Sequence, residues 1–150
     1  MLLLTPTFHI LHCGSLQSEL ILLIEATKVI EELAWTSAKA LAQSLGGHLV
    51  TITTKNEELA IERALDGIGN TYVFMGATDY EREGDWHWVT AEGFNYQNWA
   101  STQPDNAGGT EHFGQIYFID NQIKGWNDLP NTGDFQYKLA YIIEFDYLWN

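Results

Sequence analysis

The chain has 150 residues, enough for one domain with its own core, and it sets 20 acidic against 7 basic residues for a formal net charge of -13. That field repels phosphate backbones and anionic lipid, which argues against nucleic-acid partners and favours a cation. The single cysteine, Cys13, rules out an internal disulfide, and the longest apolar run, Leu20 to Ile24, falls far short of the ~20 residues that span a bilayer.

Residues 1–26 carry no clear motif and read as an N-terminal segment of uncertain role, ahead of a domain over 27–150. There is no clear signal peptide: the first basic residue is Lys28, and Leu2-Leu3-Leu4 is too brief an apolar stretch. Either an export signal is missing or the module belongs to a longer chain. Leu20 to Ile24 suits a buried strand. His9, His12 and Cys13 have loosely metal-like spacing, but without a fourth ligand an ordinary N-terminal segment is the better reading.

Thr27 to Ile30 reads as a short strand. Trp35 to Leu45 reads as a helix with Ala38, Leu41, Ala42 and Leu45 on one face, stopped by Gly46-Gly47. His48 to Thr53 is a strand. Thr54-Lys55-Asn56-Glu57 fits a capping box that opens a second helix ending near Gly67. Tyr72 to Ala77 reads as a central strand. Helical periodicity then disappears, and 78–111 forms a long loop region broken by a strand at Trp86 to Val89. Phe113 to Ile119 and Tyr137 to Phe145 read as buried strands, with a turn at Asp120-Asn121. Strand, helices, then strands and long loops make an α+β fold with helices flanking an antiparallel sheet. Trp86, Trp88, Trp99 and Trp126 suit the core, Glu144 a structural role, and His87 an outward position on its strand.

A loop this long is usually functional and needs something to hold it. Its densest stretch is Gln103-Pro104-Asp105-Asn106-Ala107-Gly108-Gly109-Thr110-Glu111, answered downstream by Trp126-Asn127-Asp128. Acids and amides alternate there behind a proline, with no cysteine and one neighbouring histidine. Such oxygen-rich sets suit calcium, which takes six to eight oxygen ligands.

Taken in order, several pieces carry a family likeness. They are Trp35-Thr36-Ser37-Ala38, Gly46 to Ile52, Glu57-Glu58, Gly76-Ala77-Thr78-Asp79, Glu83-Gly84-Asp85-Trp86, Asn98-Trp99, the Gln-Pro-Asp loop, Glu111, Trp126-Asn127-Asp128 and Ile142-Ile143-Glu144. From about Thr27 to Phe145 the chain resembles a C-type lectin-like domain. The resemblance implies a C-type lectin fold whose long loop binds calcium and sugar. It implies a principal calcium site on Gln103, Asp105, Glu111, Asn127 and Asp128, and a cis bond before Pro104. It implies a second, structural calcium site on Asp79, Glu83, Asn106, Glu111 and the next residue. That next residue is His112, where sugar-binding relatives often carry an acid. A neutral imidazole is a poor calcium ligand, although its backbone carbonyl could serve. The positions aligning with the family's disulfides are Ala42 with Ile143 and Phe113 with Asn131, so packing stands in for crosslinks, as in bacterial-like members.

Five such side chains leave calcium under-coordinated, so two sugar hydroxyls can complete its shell. Each hydroxyl also donates to a carboxylate and accepts from an amide. In the family, the order Gln-Pro-Asp goes with galactose-type sugars and Glu-Pro-Asn with mannose-type. The stretch Asn106 to Thr110 lacks the aromatic ring that strong galactose binders offer, and Tyr96 or Phe113 are candidate substitutes. Weak single sites would then gain by multivalency, in a homo-oligomer or as part of a longer chain. The expected partners are glycans or glycoconjugates, at a secreted or cell-surface location. A lectin-like module for protein recognition or adhesion is the alternative; a glycosidase using Asp105 and Glu111 has no support beyond acids that metal ligation already explains, and the chain reads as no enzyme.

Overall fold

In the computed structural model, the residues described are 7–12, 19–26, 34–132 and 138–146. The strand expected at Thr27 to Ile30, Cys13, and the first residue of the strand expected at Tyr137 lie outside them. The elements in order are β1 (Thr7–His12), β2 (Glu19–Ala26), α1 (Trp35–Ser44), β3 (His48–Leu49), α2 (Lys55–Ala64), β4 (Thr71–Thr78), β5 (His87–Trp88), β6 (Phe113–Ile119), β7 (Gln122–Leu129) and β8 (Lys138–Asp146).

The strands form one sheet in the order β1-β2-β8-β4-β6-β7, with β3 on β8 and β5 on β4. The expected sheet was antiparallel, but β4 and β8 pair in parallel, Tyr72 opposite Leu139 and Phe74 opposite Tyr141. Most of the long loop and β6–β7 lie between these strands in sequence, so no hairpin rule governs their pairing. β2 pairs along its whole length with β8, so the sheet runs on across the boundary expected near residue 26.

β4 is buried at all eight positions and divides two cores by the two-residue alternation of a strand. Val73, Met75 and Ala77 pack with Ile61 and Leu65 around α2, and with Trp88, Trp126 and Ile142. Tyr72 and Phe74 pack on the other side with Trp35, Ala38 and Ala42 of α1, and with Ile143 and Phe113. The helices therefore sit on opposite faces. Ala42 and Ile143 are both fully buried in one cluster, as packing in place of a crosslink requires.

α1 buries Trp35, Ala38 and Ala42, but the expected stripe is narrower: Leu41 is 38% and Leu45 48% exposed. Its N-cap residue, Ala34, offers no side-chain cap. Asn131 supplies one from a distance, its carbonyl accepting from Trp35 N and its Oδ1 from Thr36 N, at 2.8 and 3.0 Å. α2 opens on the expected capping box, in which Thr54 accepts from Glu57 N and the Glu57 carboxylate takes the N–H of Thr54 and of Thr53. β7 was not expected as a strand. Its Gln, Lys, Gly, Asn and Asp residues hide any alternation, although its second half is buried.

Candidate metal and ligand site

β7 brings Trp126-Asn127-Asp128 beside the long loop, and the join is built from backbone. Trp126 N donates to Asn98 O, and Ala100 N donates to Trp126 O, each at 2.8 Å. Gly125, at a φ of 126°, lets the strands approach: a Cβ there would meet the Ala100 backbone at 2.8 Å.

Glu58 fastens the same junction from below. Its side chain is buried, and its carboxylate accepts from Trp126 Nε1 and Asn98 Nδ2 at 2.9 Å each, Tyr96 OH at 2.8 Å and Lys55 Nζ at 2.6 Å. Four donors satisfy a buried acid that would otherwise be costly. Tyr96 is held in return: burial, then its bond to Glu58 and that group's charge, push its phenol pKa well up. The sequence reading placed Glu58 on α2 only as a family match. Its one local signal is Lys55, three residues earlier.

The loop itself turns through a cis bond between Gln103 and Pro104 and left-handed residues at Thr102 and Asn106. Asp128, buried on β7, receives Asp105 N on Oδ1 at 3.1 Å and Asn106 N on Oδ2 at 2.7 Å. Glu111 receives Ala107 N at 2.8 Å, at the start of a 3-10 turn over Ala107–Gly109 that Gly109 N closes onto Asn106 O. Carboxylate oxygens of Asp105, Glu111 and Asp128 thereby lie within 4.8 Å of one another. Burial, the largest cause, holds the Glu111 carboxyl above its usual range; the nearby charges of Asp128 and Asp105 add to it, against the Ala107 hydrogen bond. Among the described residues, no Lys, Arg or His forms an ion pair with these three acids. Gln103 Oε1 is buried with no hydrogen-bond partner, and Asn127 is buried on β7 beside Asp128. Three carboxylates gathered this closely, on a loop that also carries a buried, unpartnered amide oxygen, fit a hard divalent cation.

The second set of expected ligands gathers differently. Asp79, buried at the end of β4, accepts Gly84 N on Oδ2 at 2.7 Å and lies 3.0 Å from His112 Nδ1 through Oδ1. Glu83 Oε2 is 3.5 Å from the same nitrogen. Asn106 sits between the clusters: its Oδ1 accepts Glu111 N at 3.0 Å and its Nδ2 donates to Glu83 at 2.6 Å. Its amide oxygen is thus turned toward Glu111 N, and Glu111 groups with Asp105 and Asp128 rather than with Asp79 and Glu83.

Both aromatic candidates are engaged in the fold. Tyr96 packs on Trp126 with its hydroxyl on Glu58, and Phe113 is only 4% exposed in the core. Trp88 and Trp126 are core residues, as expected, with Trp86 and Trp99 packed against them. Glu144 is buried and accepts from Thr51 N and Oγ1, the structural role expected of it. His87 is exposed.

The sequence matches the family described as Lectin C-type domain over residues 31–137. The chain belongs to that family. It is similar to mouse C-type lectin domain family 4 member K, 34% identical over 72% of this chain and 33% of that protein. It is 38% identical to human asialoglycoprotein receptor 2 over 63% of this chain and 30% of that protein. The chain thus spans about a third of these relatives' length. Herring type II antifreeze protein shares the fold, with a TM-score of 0.72 at 20% identity over 90% of this chain and 96% of that one. The family is one of carbohydrate-binding domains without enzymatic activity, which removes the glycosidase alternative. No helix among the described residues is long and apolar enough to cross a membrane.

Proposed function

We propose that the chain is a calcium-dependent carbohydrate-binding domain of galactose-type preference, acting outside the cell or at its surface through Gln103, Asp105, Glu111, Asn127 and Asp128. The observation that carries this reading is the cluster of three carboxylates, on the loop that also carries the unpartnered Gln103 oxygen. Three like charges this close destabilise one another unless a cation intervenes. The donors are all oxygen, which suits calcium; zinc prefers nitrogen or sulfur, and magnesium a smaller octahedral site.

When bound, calcium would supply an electrophilic centre whose free positions two adjacent sugar hydroxyls complete. The side chains set the selectivity. Asp105 and Glu111 accept hydroxyl protons, and the amide NH2 groups of Gln103 and Asn127 donate to hydroxyl oxygens. Gln103 ahead of Pro104 and Asp105 behind it give the order that the family resemblance associates with galactose-type sugars. A receptor named for asialoglycoproteins among the relatives agrees with it. Without an aromatic platform in the loop, binding per site is weak, and glycoconjugates are held by several sites at once, in an oligomer or a longer chain.

One observation favours a different use. An antifreeze protein has this fold, so the fold also serves roles other than sugar binding, and protein recognition or adhesion is the second reading. A glycan array with calcium and with EDTA separates the two. The expected result is calcium-dependent signal on galactose-type glycans, moving toward mannose-type in the Gln103→Glu/Asp105→Asn double variant. An unchanged ranking would contradict the diol mechanism, and silence on every glycan would favour the protein-recognition reading.

A further inference from the structure

We infer that Asp79, Glu83 and His112 form a separate site for a borderline divalent cation of the zinc type, in place of the second calcium site expected at these positions. Three observations lead there. The first is donor chemistry. One imidazole nitrogen with two carboxylates is a mixed nitrogen-oxygen set, and histidine nitrogen is a preferred zinc ligand but a poor one for calcium. The oxygen expected from Asn106 is turned away to Glu111 N, so the cluster also lacks the oxygen count that calcium needs.

The second is spacing. Zinc bonds of about 2.0–2.2 Å in a tetrahedral shell put neighbouring ligand atoms about 3.3–3.6 Å apart. His112 Nδ1 stands 3.0 Å from Asp79 Oδ1 and 3.5 Å from Glu83 Oε2, and all three atoms lie within 4.8 Å of one another. Small side-chain shifts would centre an ion among them. Two carboxylates with a neutral imidazole also balance a 2+ charge, and three protein ligands leave one position for water.

The third is how firmly the ligands are held from behind. Asp79 Oδ2 takes Gly84 N–H at 2.7 Å, leaving Oδ1 to face the cluster. The His112 carbonyl takes Thr78 Oγ1 and Asp79 N, at 2.7 and 3.2 Å. Tyr80 lays its ring edge to the imidazole at 5.9 Å between centroids, and Asn106 Nδ2 holds Glu83. Supporting bonds of this kind orient metal ligands in known sites. An ion here would brace the start of the long loop, 79–83, against its end, 106–112.

The site does not depend on the calcium loop, and the test keeps the two apart. Zinc and, separately, cobalt(II) are titrated into the intact chain in excess calcium, with calorimetry and cobalt visible absorption as readouts. The wild type should take up one equivalent with a low-symmetry, four-coordinate cobalt spectrum. Asp105→Asn, altered only in the calcium loop, should take up the same equivalent. Glu83→Gln, at an exposed position, should bind at least tenfold more weakly, and His112→Asp should lose zinc and take up one more calcium than the wild type. No uptake up to millimolar zinc would overturn the inference. So would full uptake by His112→Asp, which would put the ion elsewhere, or loss of uptake in Asp105→Asn. Failure of calcium binding by the wild type would strike the calcium reading alone and leave the zinc result standing.

Discussion

Two acid clusters meet at Asn106, and they differ in what answers their charge. Asp128 and Glu111 accept backbone N–H groups, and none of Asp105, Glu111 and Asp128 has a basic side-chain partner among the described residues, while Gln103 Oε1 on the same loop stays unpaired. Asp79 and Glu83 have His112 and the Asn106 amide. The first cluster has no positive side chain among the described residues to answer it. The second is largely satisfied as it stands, and what it admits is set by an imidazole. One side chain, His112, sets the second cluster apart, at the position the sequence marks as a poor calcium ligand.

Perturbing the frame should have the largest effect. Glu58→Ala removes the acceptor for Trp126 Nε1, Asn98 Nδ2 and Tyr96 OH. Stranding several buried donors should cost about 3 kcal/mol or more in a denaturant melt, and calcium affinity should fall with it, because Trp126 precedes Asn127-Asp128. If stability fell while calcium affinity held, Glu58 would not be positioning the first cluster.

Next comes Asp79→Ala in calcium-free protein. It strips Gly84 N–H and His112 of their partner and should cost about 2 kcal/mol. Glu111→Gln under the same conditions should do the opposite and stabilise, by less than that loss. The Glu111 pKa is raised in the fold, chiefly by burial and then by Asp128 and Asp105. Its contribution is therefore fully present below its unfolded pKa and is lost as pH rises through the raised folded value. Variant and wild type should match at acid pH and diverge toward neutrality, and calcium should reverse their order. Two destabilised variants at neutral pH would erase the contrast between the clusters. The smallest change is Lys55→Ala: its amine bonds Glu58 from a mostly exposed position, so less than about 1 kcal/mol should be lost.

Much of this contrast was legible in the residues. The capping box at Thr54, the core tryptophans and the oxygen-rich loop all follow from local chemistry or order along the chain, and the cis Pro104 followed from the family likeness. Other features depend on contacts distant in sequence. The parallel β4–β8 pair, the Asn131 cap on α1 and the Glu58 junction join segments some 40 to 95 residues apart. β7 was hidden because its buried positions include Asn127 and Asp128, which look like loop residues. Leu41 and Leu45 obeyed helical spacing, yet they lie at the edge of the α1 face. His112 was recognised as a misfit for calcium, but its approach to both Asp79 and Glu83 needed the fold.

The central claim is that Gln103, Asp105, Glu111, Asn127 and Asp128 hold calcium, and a melting curve tests it most directly. At calcium about a hundredfold above its dissociation constant, the melting temperature should rise by roughly 5–10 °C. EDTA should reverse the rise and Asp105→Asn should abolish it. No shift at millimolar calcium, or the same shift in Asp105→Asn, would contradict the assignment.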